Sequence, residues 1–486
     1  MRGLMALAAA LLLFCAACAV GPNYKRPAAI VTPAYKEAPP EAFKEAQAAG
    51  LVPANPSDAF DKGKWWEIYK DPALNALEEQ VSINNQNVLA AEAQYREAKA
   101  LVRVARAALF PTVSAGSGIS DARSGAGTGI ASAARSSFSL LLDASWEPDL
   151  WGSIRRGITG AAATAQATYA DLANAKLLYQ SELASDYFSM HGLDSDVDLL
   201  KRTAVSYTEY LTLTRNRFAG GIATDLDVAE AETQLYQTQS ALIDLGVQRA
   251  QFEHAIAVLM GKPPSELTIP VELPTSPPPP VPVGLPSELL QRRPDVAGAE
   301  RRVASANEQI GIAMAAFYPT LTLSASVGFT GSTLAKWFSL PSRVWSVGPS
   351  LAQTLFEGGR RRAVVVEEQA AYDVTVATYR QTVLSAFQQV EDGLSTLRVL
   401  EQETAKVQDT VKAADRALTV STAQYKAGTT DYLVVITSQA TLLNARRTEV
   451  DLLTRRLAAS VSLVQALGGG WDTSQLPTQA DVRKGT

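Results

Sequence analysis

A chain of 486 residues has room for two or three ordinary domains with sizeable cores. Its formal net charge of −5 argues against a nucleic-acid binder, which would carry a basic face. With two histidines, His191 and His254, and two cysteines, Cys15 and Cys18, it holds little raw material for a metal site or a thiol enzyme, while 47% apolar residues with only 7% aromatics suit long, closely packed helices.

Residues 1–17 read as an export signal. Arg2 supplies the positive start, and Leu4 to Phe14 form an apolar core too short to span a membrane as a mature helix. The following "FCAACAVGPNY" resembles a bacterial lipobox, which implies that Cys18 is acylated and becomes the mature N-terminus. Ala16 and Ala17 stand before it, and Cys15 occupies the position where a lipobox usually has Leu. An ordinary cleaved signal peptide without lipid is the alternative. Ala19 follows the cysteine, where an aspartate marks inner-membrane retention in many bacteria, and by the same resemblance this points to the outer membrane. Residues 18–60 are rich in Pro and Ala without a period and predict an extended arm along a larger body.

Order begins at "KWWEIYKDPALNALEEQ", and from there the chain repeats itself. "NVLAAEAQ" (87–94) answers "DVAGAERR" (295–302), "DLWGSIRR" (149–156) answers "TLFEGGRR" (354–361), and "RFAGGIATDLDV" (217–228) answers "QYKAGTTDYLVV" (424–435). The offsets hold between 205 and 208, so residues 61–262 and 287–470 are two copies of one unit. Residues 263–286 form a proline-rich connector that suits neither a helix nor a central strand, and 471–486 form a C-terminal tail.

Each unit predicts a helix, a strand pair and a very long helical hairpin, in that order. The strand stretches are 108–120 ("ALFPTVSAGSGIS") and 137–146 in the first unit, 316–330 ("AFYPTLTLSASVGFT") and 343–351 in the second. In 137–146, Phe138, Leu140, Leu142, Ala144 and Trp146 share a face; 343–351 is less regular and contains Pro349. No proline occurs from Asp149 to Lys262 or from Ser350 to Leu476. There Leu172, Ala175, Tyr179, Leu183, Tyr187 and Met190 step by threes and fours, as do Val376, Tyr379, Val383, Ala386, Val390 and Leu394. The mean step is the coiled-coil period of about 3.5. Each run turns once, at Gly220-Gly221 and at Gly428. From Gly160 to Phe218 alone, a helix would extend roughly 85 to 90 Å, more than any compact domain needs.

Strands of about ten residues match a tilted crossing of a bilayer, although β-hairpins packed on helices in a soluble protein would look similar. Four strands cannot close a barrel, and lipid tolerates no open edge, so copies of the chain must pool strands. Two chains give about eight, which side chains fill; three give about twelve, which leave a water-filled lumen. The arithmetic favours a trimer.

The duplicated unit, the "YPTL" lead into a strand, "LLQRRPDVAGAERR", "GPNY" after Cys18, and the "RFAGG" and "QYKAG" turns together resemble the TolC family of outer membrane factors. The similarity is greatest to its lipidated OprM/NodT-type efflux branch. That resemblance implies a mainly α fold with membrane β: duplicated long coiled-coil helices plus four strands per chain, and a homotrimer with a twelve-stranded barrel over a helical periplasmic tube. It implies a passive outer-membrane conduit that exports small toxic compounds or drugs, fed by a periplasmic adaptor and an inner-membrane pump. The expected contacts are outer-membrane lipid and no nucleic acid, with no cofactor beyond the covalent lipid on Cys18. A conduit for type I protein secretion and a non-channel structural envelope lipoprotein are the alternatives.

The helix turns are the candidate sites. Arg215, Arg217, Gly220 and Gly221 in the first unit, with Lys426 and Gly428 in the second, are expected to meet the adaptor. Gln424 stands where the family resemblance favours an arginine, which Arg217 supplies in the first unit. Asp431, with Thr430 and Tyr432, is expected to line a periplasmic gate, since symmetry makes a ring of one carboxylate per chain. A plain N-cap is the other reading of Asp431, and Asp225 and Asp227 are expected to hold the closed packing or face the periplasm. No catalytic constellation is visible: His191 and His254 read as helix histidines, and Glu367-Glu368 and Asp194-Ser195-Asp196 as solvated faces.

Overall fold

The computed structural model describes residues 19–32, 35–37, 63–123, 134–273, 276–279, 281 and 289–484. The export signal, Cys18, and parts of the arm and connector lie outside them. In the first unit α1 (Pro72–Asn84) and α2 (Gln86–Ala107) precede β1 (Thr112–Ala122) and β2 (Arg135–Trp146), followed by α3 (Ser153–Ala219) and α4 (Asp225–Leu259). The second unit holds α5 (Pro294–Ala315), β3 (Thr320–Gly331), β4 (Arg343–Ala352), α6 (Arg360–Lys426) and α7 (Tyr432–Leu467); the short α8 (Gln479–Arg483) lies in the tail. No described helix is long and apolar enough to cross a membrane.

The helices α3 and α6 are each 67 residues long, about 100 Å. Both start by one device. A glycine with positive φ, Gly152 (82°) or Gly359 (88°), turns the chain out of the strand. An upstream carboxylate then takes the free helix N–H groups. Asp149 accepts from the backbone of Ile154 and Arg155 at 3.0 and 2.8 Å, and Glu357 accepts from that of Arg361 at 3.0 Å. The helices are longer than the 160–218 stretch because this capped turn extends them back to the strands.

The residues that step at the coiled-coil period are the buried ones, among them Leu172, Leu183, Tyr187, Met190 and Leu200 in α3 and Tyr379, Val383, Val390, Leu394 and Leu397 in α6. α3 packs along α5, α4, α2 and α7, and α6 along α7 and α5. One core at mid-height joins both units: Trp65, Leu74, Tyr187, Ile256, Val296, Tyr379, Leu394 and Val461 belong to one cluster. The arm runs over this body in extended form. Val20 N–H donates to Trp151 O at 3.1 Å, Asn307 Nδ2 to Pro22 O at 3.2 Å, and the N–H groups of Lys36 and Glu37 to Glu391 at 2.7 and 2.9 Å.

Asp194-Ser195-Asp196 is not the solvated face that the sequence suggests. Asp194 is 1% exposed. Its carboxylate lies 2.9 Å from His191 Nδ1 and accepts from Arg249 Nε at 2.6 Å. Burial alone would raise this carboxyl, but the hydrogen bonds from His191 and Arg249 prevail and hold it below the usual carboxylate range. Arg249 also reaches Ile269 O at 2.8 Å, fastening the connector to the hairpin, and Asp196 pairs with Arg447 of α7 at 2.8 Å. These carboxylates face neighbouring helices, which a single helix's charge pattern does not reveal. His191 is thus a buried structural histidine, and His254 is exposed.

The four strands form one antiparallel sheet in the order β1-β2-β3-β4, so the β2–β3 pairing joins the two units. β4 includes Pro349, opposite Leu323, as an edge strand permits. The register sorts most side chains by polarity. Leu142 stands opposite Ala115 and Val327, and Val327 opposite Trp345, so these lie on one face with Phe138, Leu140, Phe329 and Val347. The other face carries Ser114, Gly116, Ser139, Asp143, Ser324, Ser326 and Ser346, with Leu141 and Val344 as larger apolar exceptions. Much of the apolar face is bare in one chain: Val347 and Trp345 are 72% and 71% exposed.

Candidate functional site at the helix tips

Both helix turns lie a full helix length from the sheet, because α3 and α6 leave the strands directly. In the first turn, Gly221 (φ 70°) breaks the helix while Ile222 N–H donates to Arg217 O at 2.8 Å. Gly220 has φ −82° and is not needed for the turn. Thr224 and Asp227 then close a reciprocal capping box that opens α4, with Asp227 N–H to Thr224 Oγ1 at 3.2 Å and Thr224 N–H to Asp227 Oδ2 at 2.7 Å.

The second turn has the same backbone and different chemistry. Gly428 (φ 74°) breaks α6, with Thr429 N–H donating to Gln424 O at 3.0 Å. Asp431 occupies the N-cap position in the register of Thr224, yet its carboxylate accepts no capping hydrogen bond. It is exposed and, among the described residues, has no side-chain partner. Beside it Thr430 is half-buried and Tyr432 is 2% exposed. Burial raises the Tyr432 phenol above its ordinary pKa.

The two tips are bolted together by Arg217. Its guanidinium donates to Tyr425 O at 3.0 Å and lies 4.5 Å from the Tyr425 ring centroid. Tyr425 in turn tilts against Tyr432 at 5.2 Å, within a cluster that includes Tyr207, Leu211, Leu235 and Val435. Tyr210 and Thr422 share a hydroxyl contact at 3.0 Å. Arg217 therefore spends its charge inward, on the neighbouring hairpin, and Gln424 in the register of Arg217 makes no matching bolt. Arg215 pairs with Glu232 at 2.5 Å, and Lys426 is exposed. Phe218, Ile222 and Leu226 on the first tip and Leu433 and Val434 on the second remain exposed.

Sequence reasoning missed Tyr207, Tyr210, Tyr425, Thr422 and the Thr224 cap. The signal for two of them was present: Tyr425 and Tyr432 sit seven residues apart across the turn, and Thr224-Asp227 has the spacing of a capping box. Among the described residues no group of His, Cys, Asp and Glu could hold a metal ion.

A family model described as outer membrane efflux protein matches residues 77–262 and 285–469. The chain is 33% identical over 431 residues to the pyoverdine export outer membrane protein OpmQ of Pseudomonas aeruginosa, covering 87% of this chain and 90% of that protein. It is 30% identical over 472 residues to the toluene efflux pump outer membrane protein TtgC of Pseudomonas putida, covering 96% of each. Among solved structures, the outer-membrane channel OprN superposes with a TM-score of 0.83 at 29% identity, over 93% of this chain and 100% of that one. The open-state MtrE outer membrane channel of Neisseria gonorrhoeae superposes with a TM-score of 0.79 at 25% identity, over 93% and 98%.

Arg217→Ala should loosen the tips. A charge-assisted hydrogen bond and a cation–π contact are together worth roughly 2 kcal/mol, so hydrogen exchange of the amides in 418–436 should quicken about tenfold or more. Arg217→Lys should restore only part of the protection, because a point charge cannot reproduce the planar fork. Unchanged exchange in Arg217→Ala would show that the hairpins are held without the bolt.

Proposed function

The chain belongs to the outer membrane efflux protein family and is an outer-membrane efflux channel, and we propose that three copies close one twelve-stranded barrel above a tube of their long helices. The observation that carries this reading is the two-faced sheet with open edges at β1 and β4. Its bare apolar face suits lipid, its serine- and glycine-rich face suits a water-filled lumen, and only pairing with further copies satisfies the edges. The helices then extend into the periplasm with the tips farthest from the membrane.

An adaptor and an inner-membrane pump meet the channel at these tips. Gly221 and Gly428 shape the docking turns, Lys426 offers charge, Arg215 stands beside them paired with Glu232, and Gly220 and the exposed Phe218 and Ile222 border them. Arg217 contributes by holding the hairpins in register. The cargo is small toxic organic compounds, the class to which toluene, named for the TtgC relative, belongs. Cys18 is the acylated N-terminus; the arm supports this by placing Val20 against Trp151 at the base of the strands. Asp431 lines the gate, because its carboxylate is exposed and is not used as a cap. Threefold symmetry makes it a ring of negative potential.

Three measurements test these assignments. In planar bilayers the purified trimer should form a low-conductance, cation-preferring channel, and Asp431→Ala should weaken the preference and raise the leak. Wild-type selectivity and resting conductance in that variant would remove Asp431 from the gate. Gly221→Trp and Gly428→Trp meet open space within the chain but strain a left-handed backbone by about 1–2 kcal/mol. They should abolish resistance to toxic compounds in cells while trimers still assemble, and full resistance in both would exclude the docking role. Intact mass of the mature protein should correspond to a chain starting at Cys18 plus acyl groups; an unmodified N-terminus downstream would rule out the anchor.

A further inference from the structure

The loop between β3 and β4 folds back on the sheet instead of reaching away from it. A side chain at Gly331 would meet the Trp337 backbone at 3.2 Å. The Trp337 ring lies 5.8 Å from Phe138, the Phe338 ring 5.7 Å from Phe329, and the two loop rings stack at 4.8 Å. Phe138 and Phe329 belong to the apolar face, so the loop covers that side and not the polar one. It is pinned by the Lys336 carbonyl, which accepts from Ser339 N–H at 3.2 Å and from the Ser339 and Ser342 hydroxyls at 2.7 Å each. This leaves Leu334, Phe338 and Leu340 65%, 62% and 82% exposed. Such a loop is unfavourable in water and at home at the boundary of a bilayer.

The same fold brings the backbones of two cationic residues close. Ser342, which bonds the Lys336 carbonyl, immediately precedes Arg343, and Arg343 stands opposite Phe329 on the apolar face. Lys336 and Arg343 are exposed, and neither has a carboxylate partner among the described residues. The segment linking β1 to β2 in sequence, 124–133, is "SGAGTGIASA" and contains no acid. Asp121, on the same face at this end of the sheet, is separated from Arg343 by β2 and β3 within one chain. In the closed barrel it lies on the edge strand that pairs with β4 of the next copy, so that seam is one outcome of the experiment. The loop end of the sheet is opposite the end from which the helices leave, so in the channel it meets the outer leaflet.

We propose that Lys336 and Arg343, beside the Trp337–Phe338 shelf, bind the phosphate groups of an outer-leaflet lipid, a phosphorylated glycolipid of the lipid A class. This rests on the reading of the apolar face as lipid-facing. The aromatic shelf and the exposed leucines sit against the acyl boundary, and the two long cationic side chains reach outward to the headgroup. Arg343 offers a planar fork that fits a phosphate with two hydrogen bonds.

The test is native mass spectrometry of the full-length trimer in mild detergent, titrated with bisphosphorylated lipid A and with its dephosphorylated form. The wild-type trimer should retain the phosphorylated lipid selectively, and Lys336→Ala/Arg343→Ala should bind it about 30-fold more weakly. Lys336→Arg should keep the affinity. Equal retention of both lipids by the wild type, or undiminished binding by the double variant, overturns the proposal. Loss of the trimer in the double variant with lipid still retained also overturns it, and would assign Arg343 to the seam with Asp121 of the partner subunit. Conductance recorded on the same preparations separates the two readings. A wild-type channel that conducts but holds no phosphorylated lipid defeats the lipid site alone, whereas protein that neither inserts nor conducts defeats the channel reading and the lipid site with it.

Discussion

Everything in this chain follows from the unpaired backbone along β1 and β4. A peptide N–H or C=O left without a partner in hydrocarbon costs several kcal/mol, and an edge strand presents a row of them. The four-stranded sheet cannot meet that demand alone, whatever the quality of its apolar face. In the proposed barrel, closure by further copies supplies the missing partners and at the same time sends one face to lipid and the other to water. The alternation of Leu142, Val327 and Trp345 against Asp143, Ser326 and Ser346 is therefore meaningful only in the assembly.

The helices inherit their arrangement from the sheet. Because α3 and α6 start within a few residues of β2 and β4, any symmetry that closes the strands also sets the spacing of the helices. Equal lengths of 67 residues bring both turns to the same level. The returning helices, 35 and 36 residues long, end about half-way up, where the shared core of Trp65, Tyr187, Tyr379 and Val461 binds both units and α1. The largest hydrophobic cluster thus sits in the middle of the molecule, with a smaller one at the tips around Tyr207, Tyr425 and Val435.

The two units diverge where their roles differ. At the first tip, Thr224 and Asp227 satisfy each other and Arg217 reaches across. At the second, Gln424 replaces the arginine, Tyr425 receives it, and Asp431 keeps its carboxylate free. One hairpin supplies the bolt and the other the unspent charge. Duplication gave the pseudo-symmetric frame, and a handful of substitutions at the turns made its halves complementary.

The sequence by itself determined the elements and their order. Repeats at a constant offset, the period of two in 320–330, the period of 3.5 in the long runs and the glycines at the turns are local patterns, and local backbone preferences and side-chain spacing suffice to read them. The length of the helices and the four strands were legible for that reason, as was the candidate status of Asp431 and Gly428. Only the tertiary structure decided which way the charged groups point. Asp194 reads as solvated and is buried under Arg249, Arg217 reads as an adaptor contact and is engaged with Tyr425, and the β3–β4 loop could have covered either face of the sheet. Each of these depends on a partner tens to hundreds of residues away, and the direction of a side chain on a helix or a loop is set by what packs against it.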